Sequence, residues 1–600
     1  HRNNAAQRRT EKNRPRQSQL FHQHDDIRNI LLGIVGAAVL GIFAVAAAAQ
    51  VHHQDSALTI EYGPEMAEIP GIAGQAGNTD DRRLAAVGPI VPGVQLQSVI
   101  GFPVNILIRF FFTHAASGLV FALAARPISR HCRKMPYKPQ SEPEKSLYQP
   151  DVQITRLGEK IGDPVAAADF PDHILRFRND RWDQSVGLQN LSADEWISHF
   201  GKFEPLADNL DPPLALRYHG HQFRTYNPEI GDGRGFLFAQ LRDHEQRLMD
   251  LGTKGSGPTP WSRTGDGRLT LKGAVREILA TEMLEALGVN TSKTFAVVET
   301  GEQLTRGDEP SPTRSAVMTR LSHGHIRIGT FQRIAYEKDE ELMQQLVTYC
   351  LDQYYGGAQS DNPAAELFAK VAQEVAKLAG SYMTAGFVHG VLNTDNINIT
   401  GESFDYGPWR FTPYWEPGFT AAYFDHEGLY CFARQPEALH WNLAQFASAL
   451  RLIADSEPLV ETLEAFPRAY GTAFTEHFCW RLGIESEGFE KDRALVVAAE
   501  KGLAQRTIQI DRFFFDWGRT EDLARPEDHS TEFSDFRSLI TDRSRSRIPT
   551  SSYWQKPGPC SMHIEEVESI WAAIADDDNW DPLSEKIKNI RDMGVALRKG

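Results

Sequence analysis

GFVHGVLNTDNINITGESFDYGP, residues 386–408, contains the residues that most clearly indicate the chemistry of this chain. His389 opens a polar loop that ends at Asn396, and Asp405 begins the tripeptide DYG shortly afterwards. Asn and Asp oxygens are hard ligands suited to Mg²⁺. Asp395 is the only carboxylate in the loop, and an Asp beside a metal ligand can accept a hydroxyl proton. The segment therefore predicts Asn396 and Asp405 as magnesium ligands and makes Asp395 the candidate proton acceptor.

The spacing within this segment is typical of protein kinases. There, a loop His is followed at the second position by an Asp base and at the seventh by a metal-binding Asn, and the Asp of a DFG tripeptide holds magnesium. In this chain the seventh position is Asn396 but the second is Val391, so the usual base is missing. A polar turn capped by Asp and Asn is the structural alternative. It would not predict DYG together with the Lys and Glu that lie upstream.

A glycine-rich turn and a Lys–Glu pair upstream match the nucleotide-binding elements of kinases. GDGRG, Gly231 to Gly235, stands before the strand-like run FLFAQL, and glycines let backbone amides approach phosphate oxygens. Lys254 ends the next predicted strand, and Glu277 lies on an amphipathic helix predicted over Gly273–Leu287. In kinases such a Glu orients the Lys toward the phosphates. A surface Lys and a solvated helical Glu are the alternative for this pair alone.

Several cations concentrate positive charge in an otherwise acidic protein. Such a cluster is what a polyphosphate needs, although surface salt bridges are an alternative explanation. A second GDGR, Gly265–Arg268, places Asp266 and Gly267 in a turn that closes over the same nucleotide, unless it is a structural hairpin. The four cations are Arg234, Lys254, and the pair Arg320 and Arg327 that flanks the turn LSHGHI.

Short β-like runs separated by glycine-rich turns precede a mainly helical region. The clearest later helices are Ala364–Met383 and Trp441–Ile453. This order predicts an α+β, protein-kinase-like bilobal fold. A β-rich, nucleotide-binding N-lobe is expected over 151–335 and a helical C-lobe with the metal and catalytic loop over 336–600. The β-like runs are Phe236–Leu241, Arg247–Leu251, Phe295–Glu299 and Ala316–Arg320.

Residues 1–150 differ in composition and predict an extra N-terminal region with apolar segments, ending in a linker over Lys134–Pro150. The first residues are rich in Arg, and an uncharged run of 20 residues, Ile30–Ala49, follows. Such a run is long enough to span a bilayer, whereas an Arg-rich, acid-poor start is typical of a mitochondrial presequence. We expect a mitochondrial protein, with a membrane anchor through residues 30–49 as the alternative. Val99–Ala125 is a second, weaker apolar stretch.

The overall composition bounds the class of partner. Hydrophobic residues make up 41% and charged residues 24% of the chain, the proportions of an ordinary globular protein. The formal net charge of −16 argues against nucleic-acid binding, because phosphate backbones are bound by clustered Lys and Arg. The cysteines lie far apart without a CxxC pair, which argues against a zinc site.

These motifs and their order resemble the selenoprotein O family, which are kinase-like protein adenylyltransferases. The resemblance extends from about Leu214 to Ile453 and rests on YHGHQF, GDGRG, KGSGPTPWSRTGDGR, REILATEMLEALGV, RLSHGHIRIG, GFVHGVLNTDN, DYGP, YWEPGF and QPEALHWNL. It implies a nucleotide bound in the reverse sense to kinases, so that the α-phosphate meets the acceptor hydroxyl and pyrophosphate leaves. It also implies that Asn396 and Asp405 hold magnesium and that Asp395 accepts the proton. The ATP-binding residues that it implies are Gly231, Gly233, Arg234, Lys254, Asp266, Gly267, Arg320 and Arg327.

The expected function is therefore transfer of AMP from ATP to Ser, Thr or Tyr hydroxyls of protein substrates, with Mg²⁺ as cofactor and Glu277 supporting Lys254. A true phosphotransferase, which would pass the γ-phosphate with Asp395 as base, is one alternative. A membrane-tethered pseudokinase that binds nucleotide as a scaffold is another, motivated by Val391 and the apolar N-terminus. The presence of a candidate base together with both metal ligands argues against the scaffold.

Overall fold

Within the described residues, the strands form one large antiparallel sheet and two small ones. The computed structural model describes residues 147–307, 309–519 and 530–598. The strands are β1 Gln149–Pro150, β2 Gly162–Pro164, β3 Ile174–Arg178, β4 Leu214–Leu216, β5 Gly220–Gln222, β6 Thr225–Asn227, β7 Leu237–Arg242, β8 Leu248–Lys254, β9 Leu269–Thr270, β10 Lys293–Leu304, β11 Thr313–Ser322, β12 Phe387–Val388 and β13 Arg410–Phe411. The large sheet follows the order β2-β4-β7-β8-β11-β10-β3, with β1 paired to β7 and β9 to β11. β5 pairs with β6 and β12 with β13.

Both faces of the large sheet are covered by apolar groups. Val317 belongs to a cluster with Trp196 and Phe200, whereas its neighbour Met318 belongs to the larger cluster that contains the long helices. Successive strand residues face opposite sides of a sheet, so a strand covered on both faces is apolar without alternation. The predicted β-like runs are accordingly confirmed as β7, β8, β10 and β11.

The helices lie mostly after the large sheet. Within the described residues they are α1 Asp180–Ser185, α2 Ala193–Phe200, α3 Leu271–Ala286, α4 Ile328–Glu337, α5 Glu340–Tyr354, α6 Pro363–Ala385, α7 Gln435–Leu450, α8 Ser456–Leu482, α9 Phe489–Leu503, α10 Ile510–Gly518, α11 Ser534–Thr541, α12 Ile564–Asp577 and α13 Asp581–Arg598. The three predicted helices are confirmed as α3, α6 and α7. α7 begins earlier than predicted, because a Pro in its first turn suits a helix start.

α3 is the helix that positions Glu277. It starts where the Thr270 side chain accepts a hydrogen bond from the backbone N–H of Gly273 at 3.1 Å, a typical N-cap. Most of its residues are buried, because it packs between β10, β11 and α13. Its two ends are therefore fixed relative to the strands that carry the cations.

The apolar core joins strands and helices. The largest cluster extends from one face of the large sheet and α3 into α4 to α7, α12 and α13, and a second cluster surrounds α8 to α11. The mixture of a large antiparallel sheet with helices is thus confirmed. The division into two lobes at residue 335 stays a prediction, since the largest cluster continues across it.

The C-terminal helix α13 is tied to α3 by a buried charge. Glu282 is buried and forms ion pairs with Arg591 at 2.7 Å and with Arg181 at 3.0 Å. We expect Arg591→Met to lower the unfolding free energy by about 2 kcal/mol, because Glu282 keeps only Arg181 as an ion-pair partner. Denaturant unfolding measures the loss, and Lys588→Met, at an exposed position of the same helix, is the control. Equal stability of both variants would contradict a structural role for the pair.

The predicted N-terminal segments fall mainly outside the described residues. Gln149 and Pro150, at the end of the predicted linker, already pair with β7. The apolar runs 30–49 and 99–125 lie outside the described ranges. Among the helices that are described, none combines the length and apolar composition needed to cross a bilayer.

Candidate active site

Lys254 and Glu277 form a buried ion pair at the centre of the site. Lys254 is the last residue of β8 and Glu277 lies on α3. The ammonium of Lys254 contacts Oε1 of Glu277 and lies 2.9 Å from Oδ1 of Asp405. Lys254 and Glu277 are 3% and 2% exposed, so they are neither a surface Lys nor a solvated Glu. The structure brings the predicted strand Lys, helix Glu and metal-binding Asp together.

Asp405 is held in a strained conformation among cations. Its φ of 60° lies in the left-handed region, which is costly for a residue with a Cβ and is concentrated at functional sites. Burial favours the protonated carboxyl, but the charges of Lys254, Arg320, Arg234 and Arg327 outweigh burial and hold the pKa of Asp405 well below its usual range. The carboxylate is therefore ionised at neutral pH, as a metal ligand must be.

Two buried arginines extend the positive region. Arg327 precedes α4; its Nη1 donates to the main-chain carbonyl of Asp395 at 3.1 Å, and its Nη2 donates to Asp232 at 3.2 Å. Nε and Nη1 of Arg320 and Nε of Arg327 are buried and have no hydrogen-bond partner in the described part of the chain. Unpaired buried N–H groups are costly, and phosphate oxygens are acceptors that guanidinium groups fit. We call Lys254, Glu277, Arg320, Arg327 and Asp405 the charge cluster.

Asp395 lies on a 3-10 turn, Thr394–Asn396, and is 9% exposed. Its Oδ1 is buried and accepts no hydrogen bond from the residues that the structure describes. Burial raises the pKa of the Asp395 carboxyl to about 6, and the charge of Arg327 partly opposes this shift. Such a carboxylate is more basic than an ordinary Asp and still largely ionised at neutral pH, which suits a proton acceptor.

Gly220, in the β5–β6 hairpin, packs against the Asp395 carboxylate. A Cβ at Gly220 would lie 2.7 Å from Oδ1 of Asp395 and 2.9 Å from Cδ1 of Ile230. We therefore expect Gly220→Ala to displace Asp395, to reduce transfer about tenfold or more, and to cost about 1–3 kcal/mol of unfolding free energy. Gly418→Ala is the matched control, since a Cβ there meets nothing within 4 Å. Steady-state kinetics of the two variants test this, and equal rates would show that the position of Asp395 is not critical.

Asn396 and Asp405 can supply oxygen ligands to a metal ion. The amide nitrogen of Asn396 donates to the carbonyl of Val391 at 2.9 Å, so Oδ1 is the atom left for a metal. Nε2 of His389 lies 3.0 Å from the carbonyl oxygen of Phe404 and links the loop to the residue before Asp405. The described residues contain no group of three His, Cys, Asp or Glu side chains placed to hold a metal. Two protein oxygens nevertheless fit a divalent ion that completes its shell with phosphate oxygens and water.

The glycines of GDGRG are required by packing. A Cβ at Gly231 would lie 2.6 Å from the ring of Trp261, and a Cβ at Gly233 would lie 2.9 Å from the carbonyl oxygen of Trp261. The protein's own contacts therefore exclude side chains here, independently of a phosphate. Arg234 is exposed, and its charge contributes to the low pKa of Asp405.

The second GDGR turn is held by residues that do not belong to the charge cluster. The carboxylate of Asp266 is 2.8 Å from Arg306 and accepts a hydrogen bond from the backbone N–H of Arg268 at 3.0 Å. Gly267 has a φ of 70°, and a Cβ there would lie 2.2 Å from the carbonyl carbon of Gly257. These contacts hold the turn against Arg306 and Gly257, and within the described residues Asp266 forms no ion pair or hydrogen bond with the cluster.

Three residues that the sequence did not single out surround the arginines. Asp232 pairs with Arg327, the ring of Tyr218 lies 4.2 Å from Cζ of Arg327, and the ring of Phe404 lies under both Arg320 and Arg327. Asp232 lies within GDGRG. An acidic residue among residues predicted to bind phosphate could have indicated that it pairs with a cation of the site. The aromatic contacts depend on tertiary packing and leave no local signal.

Curated relatives are similar to this chain over most of its length. The protein nucleotidyltransferase YdiU of Synechocystis sp. is 42% identical over 476 residues, which are 74% of this chain and 98% of the relative. The protein of the same name from Synechococcus elongatus is 41% identical over 490 residues, 77% of this chain and 98% of the relative. That of Trichodesmium erythraeum is 40% identical over 479 residues, 75% of this chain and all of the relative.

The predicted mitochondrial location is wrong. The three relatives named above, at about 40% identity, are bacterial proteins, and bacteria have no mitochondria. The Arg-rich, acid-poor start suggested a presequence, but this composition lies in residues that precede the matched region and does not by itself distinguish targeting from any other basic segment.

The family comparison covers the region in which the site was found. The family model described as protein adenylyltransferase SelO matches residues 145–591, a longer region than the 214–453 over which the motifs were recognised. It includes every residue of the charge cluster as well as Asp395 and Asn396. The expected enzyme class, a protein nucleotidyltransferase, is confirmed. The chain belongs to the SelO family of protein adenylyltransferases.

Proposed function

We propose that this enzyme transfers AMP from ATP to Ser, Thr or Tyr hydroxyls of other proteins, uses Mg²⁺ and releases pyrophosphate. The observation that carries the proposal is that Arg327 links the rest of the charge cluster to the loop of Asp395. Its charge acts on Asp405, and its Nη1 donates to the main-chain carbonyl of Asp395. Within the described residues, Nε of Arg327, Nε and Nη1 of Arg320 and the buried Oδ1 of Asp395 have no hydrogen-bond partner. A chain of phosphates bound at the cluster would therefore end, toward Asp395, with the phosphate to be attacked.

The β- and γ-phosphates are assigned to the cationic side. Lys254, Arg320 and Arg327 bind their oxygens, with Glu277 orienting Lys254. Arg234 is close enough for its charge to act on Asp405 and supplies a further cation from the glycine-rich turn. Gly231, Gly233, Asp266 and Gly267 are proposed as further ATP contacts, on the family resemblance alone.

The reaction balances with the groups that are present. The Asp395 carboxylate takes the proton of the acceptor hydroxyl, the hydroxyl oxygen forms a bond to the α-phosphorus, and the bond from this phosphorus to the bridging oxygen of the β-phosphate breaks. Mg²⁺ held by Asn396 and Asp405 would offset the negative charge on the departing pyrophosphate. The usual kinase base is replaced by Val391, which is consistent with a proton acceptor at Asp395 instead.

We also propose that the site lies between a β-rich N-lobe over 151–335 and a helical C-lobe over 336–600, as in kinases. The position of Lys254 on a strand and of Asn396 in a loop between helices supports this arrangement.

Mass spectrometry of proteins incubated with enzyme, ATP and Mg²⁺ tests the proposal. We expect modified Ser, Thr or Tyr residues to gain the mass of AMP and pyrophosphate to accumulate. A mass gain of one phosphate with ADP as product would instead favour the phosphotransferase.

A further inference from the structure

The turn of the β5–β6 hairpin carries two residues that are unfavourable there. Phe223 and Arg224 join the paired residues Gln222 and Thr225, with φ values of 49° and 63°. Two-residue turns with positive φ at both positions favour Asn and Gly, because a bulky side chain is strained in this region. Strain of this kind points to a functional reason for the side chains that are retained.

The hairpin is fastened to the catalytic loop. The backbone N–H of Phe223 donates to Oδ1 of Asn393 at 3.0 Å, and the backbone N–H of His221 donates to Oγ1 of Thr394 at 2.7 Å. Arg224 forms an ion pair with Glu437 of α7 at 3.0 Å. The ring of Phe223 nevertheless remains 37% exposed. The hairpin therefore holds an exposed aromatic ring in a fixed place beside the loop of Asp395.

A second loop adds exposed aromatic rings at the same place. Tyr423 and Phe424 are 78% and 42% exposed, and the ring centroid of Phe424 is 5.8 Å from that of Phe223. The buried Asp425 carboxylate accepts from the backbone N–H of Tyr430 at 2.8 Å, which fixes this loop. The hydroxyl of Tyr430 donates to Asn393 Oδ1 at 2.7 Å, so both loops meet on one side chain of the catalytic loop. We call Phe223, Tyr423 and Phe424 the aromatic patch.

The position and charge of the patch favour one kind of partner. Gly220, at the start of the hairpin, touches Asp395, and at about 3.3 Å per residue the turn lies about 10 Å further along. An extended segment whose hydroxyl is at Asp395 would thus place a residue about three positions away on the patch. The exposed residues next to Phe424 include Glu427, and the exposed Arg224 beside Phe223 is already paired with Glu437. This is not the cluster of Lys and Arg that binds an anionic membrane.

We propose that the aromatic patch binds the acceptor protein. The occupant is an extended acceptor segment with a large apolar side chain, such as Leu, Ile or Phe, about three residues from the hydroxyl that receives AMP. This inference rests on the proposed function, because it assigns the acceptor to the Asp395 side of the site.

A peptide mixture tests the inference. Each peptide has one central Ser, Thr or Tyr with random residues on both sides, and is incubated with full-length enzyme, Mg²⁺ and ATP labelled at the α-phosphorus. The patch variant is Phe223→Asn with Phe424→Ser; Asn suits the left-handed turn, so this variant should fold. The control is Val497→Ser on α9. It removes an apolar side chain from a residue that is 42% exposed, as Phe424 is.

With the wild-type enzyme and the control, we expect labelled peptides to be enriched in large apolar residues about three positions from the acceptor. With the patch variant the enrichment disappears, and kcat/KM for the best peptide falls about tenfold or more while KM for ATP stays the same.

No enrichment with the wild type, or equal enrichment with the patch variant, would overturn the inference. Labelling of whole proteins but of no peptide would also overturn it and leave the proposed function intact. Absence of α-label on every acceptor would overturn the proposed function itself. A patch variant that changes only the oligomeric state would assign the patch to a second copy of the chain.

Discussion

Replacing Asp405 by Asn is expected to lower the rate of AMP transfer by about 10³-fold or more. The substitution keeps the size of the side chain and removes the charge that a metal ion needs. It also removes the anion that lies 2.9 Å from Lys254 and 3.6 Å from Arg320, so that Lys254 keeps Glu277 as its anionic partner. Transfer of α-labelled AMP under single-turnover conditions measures the loss.

The binding of ATP separates this prediction from a general loss of structure. Removal of a negative charge from a phosphate-binding cluster should leave ATP affinity in the absence of metal unchanged or increased. The variant should therefore fail in the chemical step, not in nucleotide binding. Near-normal turnover by a folded Asp405→Asn enzyme would contradict the metal-binding role.

Asp395→Asn is expected to reduce transfer by about 10²- to 10⁴-fold, the range that a positioned general base contributes. An amide has nearly the shape of the carboxylate that packs against Gly220, but it cannot accept the hydroxyl proton. Because the proposed role of Asp395 is toward the acceptor and not toward the phosphate chain, the KM for ATP should change little.

Asp361→Asn, at an exposed position outside the site, is the control for Asp395→Asn. A loss of ATP binding as large as the loss of turnover would show that Asp395 supports the nucleotide site instead of accepting a proton. Retention of full activity would remove it from the mechanism.

The sequence was most informative where a candidate functional residue lies in a segment whose apolar residues have the spacing of a strand or a helix. Lys254 ends an apolar strand and Glu277 lies on a helix with a clear apolar stripe, so both elements could be predicted, and the order of these elements in kinases predicted that the side chains meet. The glycines of GDGRG were recognised as a turn. That Trp261 packs on them depends on how the segment after β8 folds back onto the turn.

Other parts of the site could not be read from local sequence. Arg327 and Asp232 are brought together only by the tertiary fold, and the burial that raises the pKa of Asp395 likewise depends on tertiary packing. The two GDGR motifs look alike, yet one lies against Arg327 and the other is closed by Arg306. The same sequence motif therefore led to the same prediction, nucleotide binding, for two turns that lie in different environments.

The central claim is that the α-phosphorus of ATP is the one attacked, and two labelled preparations of ATP test it directly. With the wild-type enzyme, Mg²⁺ and a protein acceptor, label at the α-phosphorus should appear on the protein, label at the γ-phosphorus should not, and pyrophosphate should form in equal amount to the labelled product. Transfer of γ-label to protein, with ADP as the second product, would contradict the account.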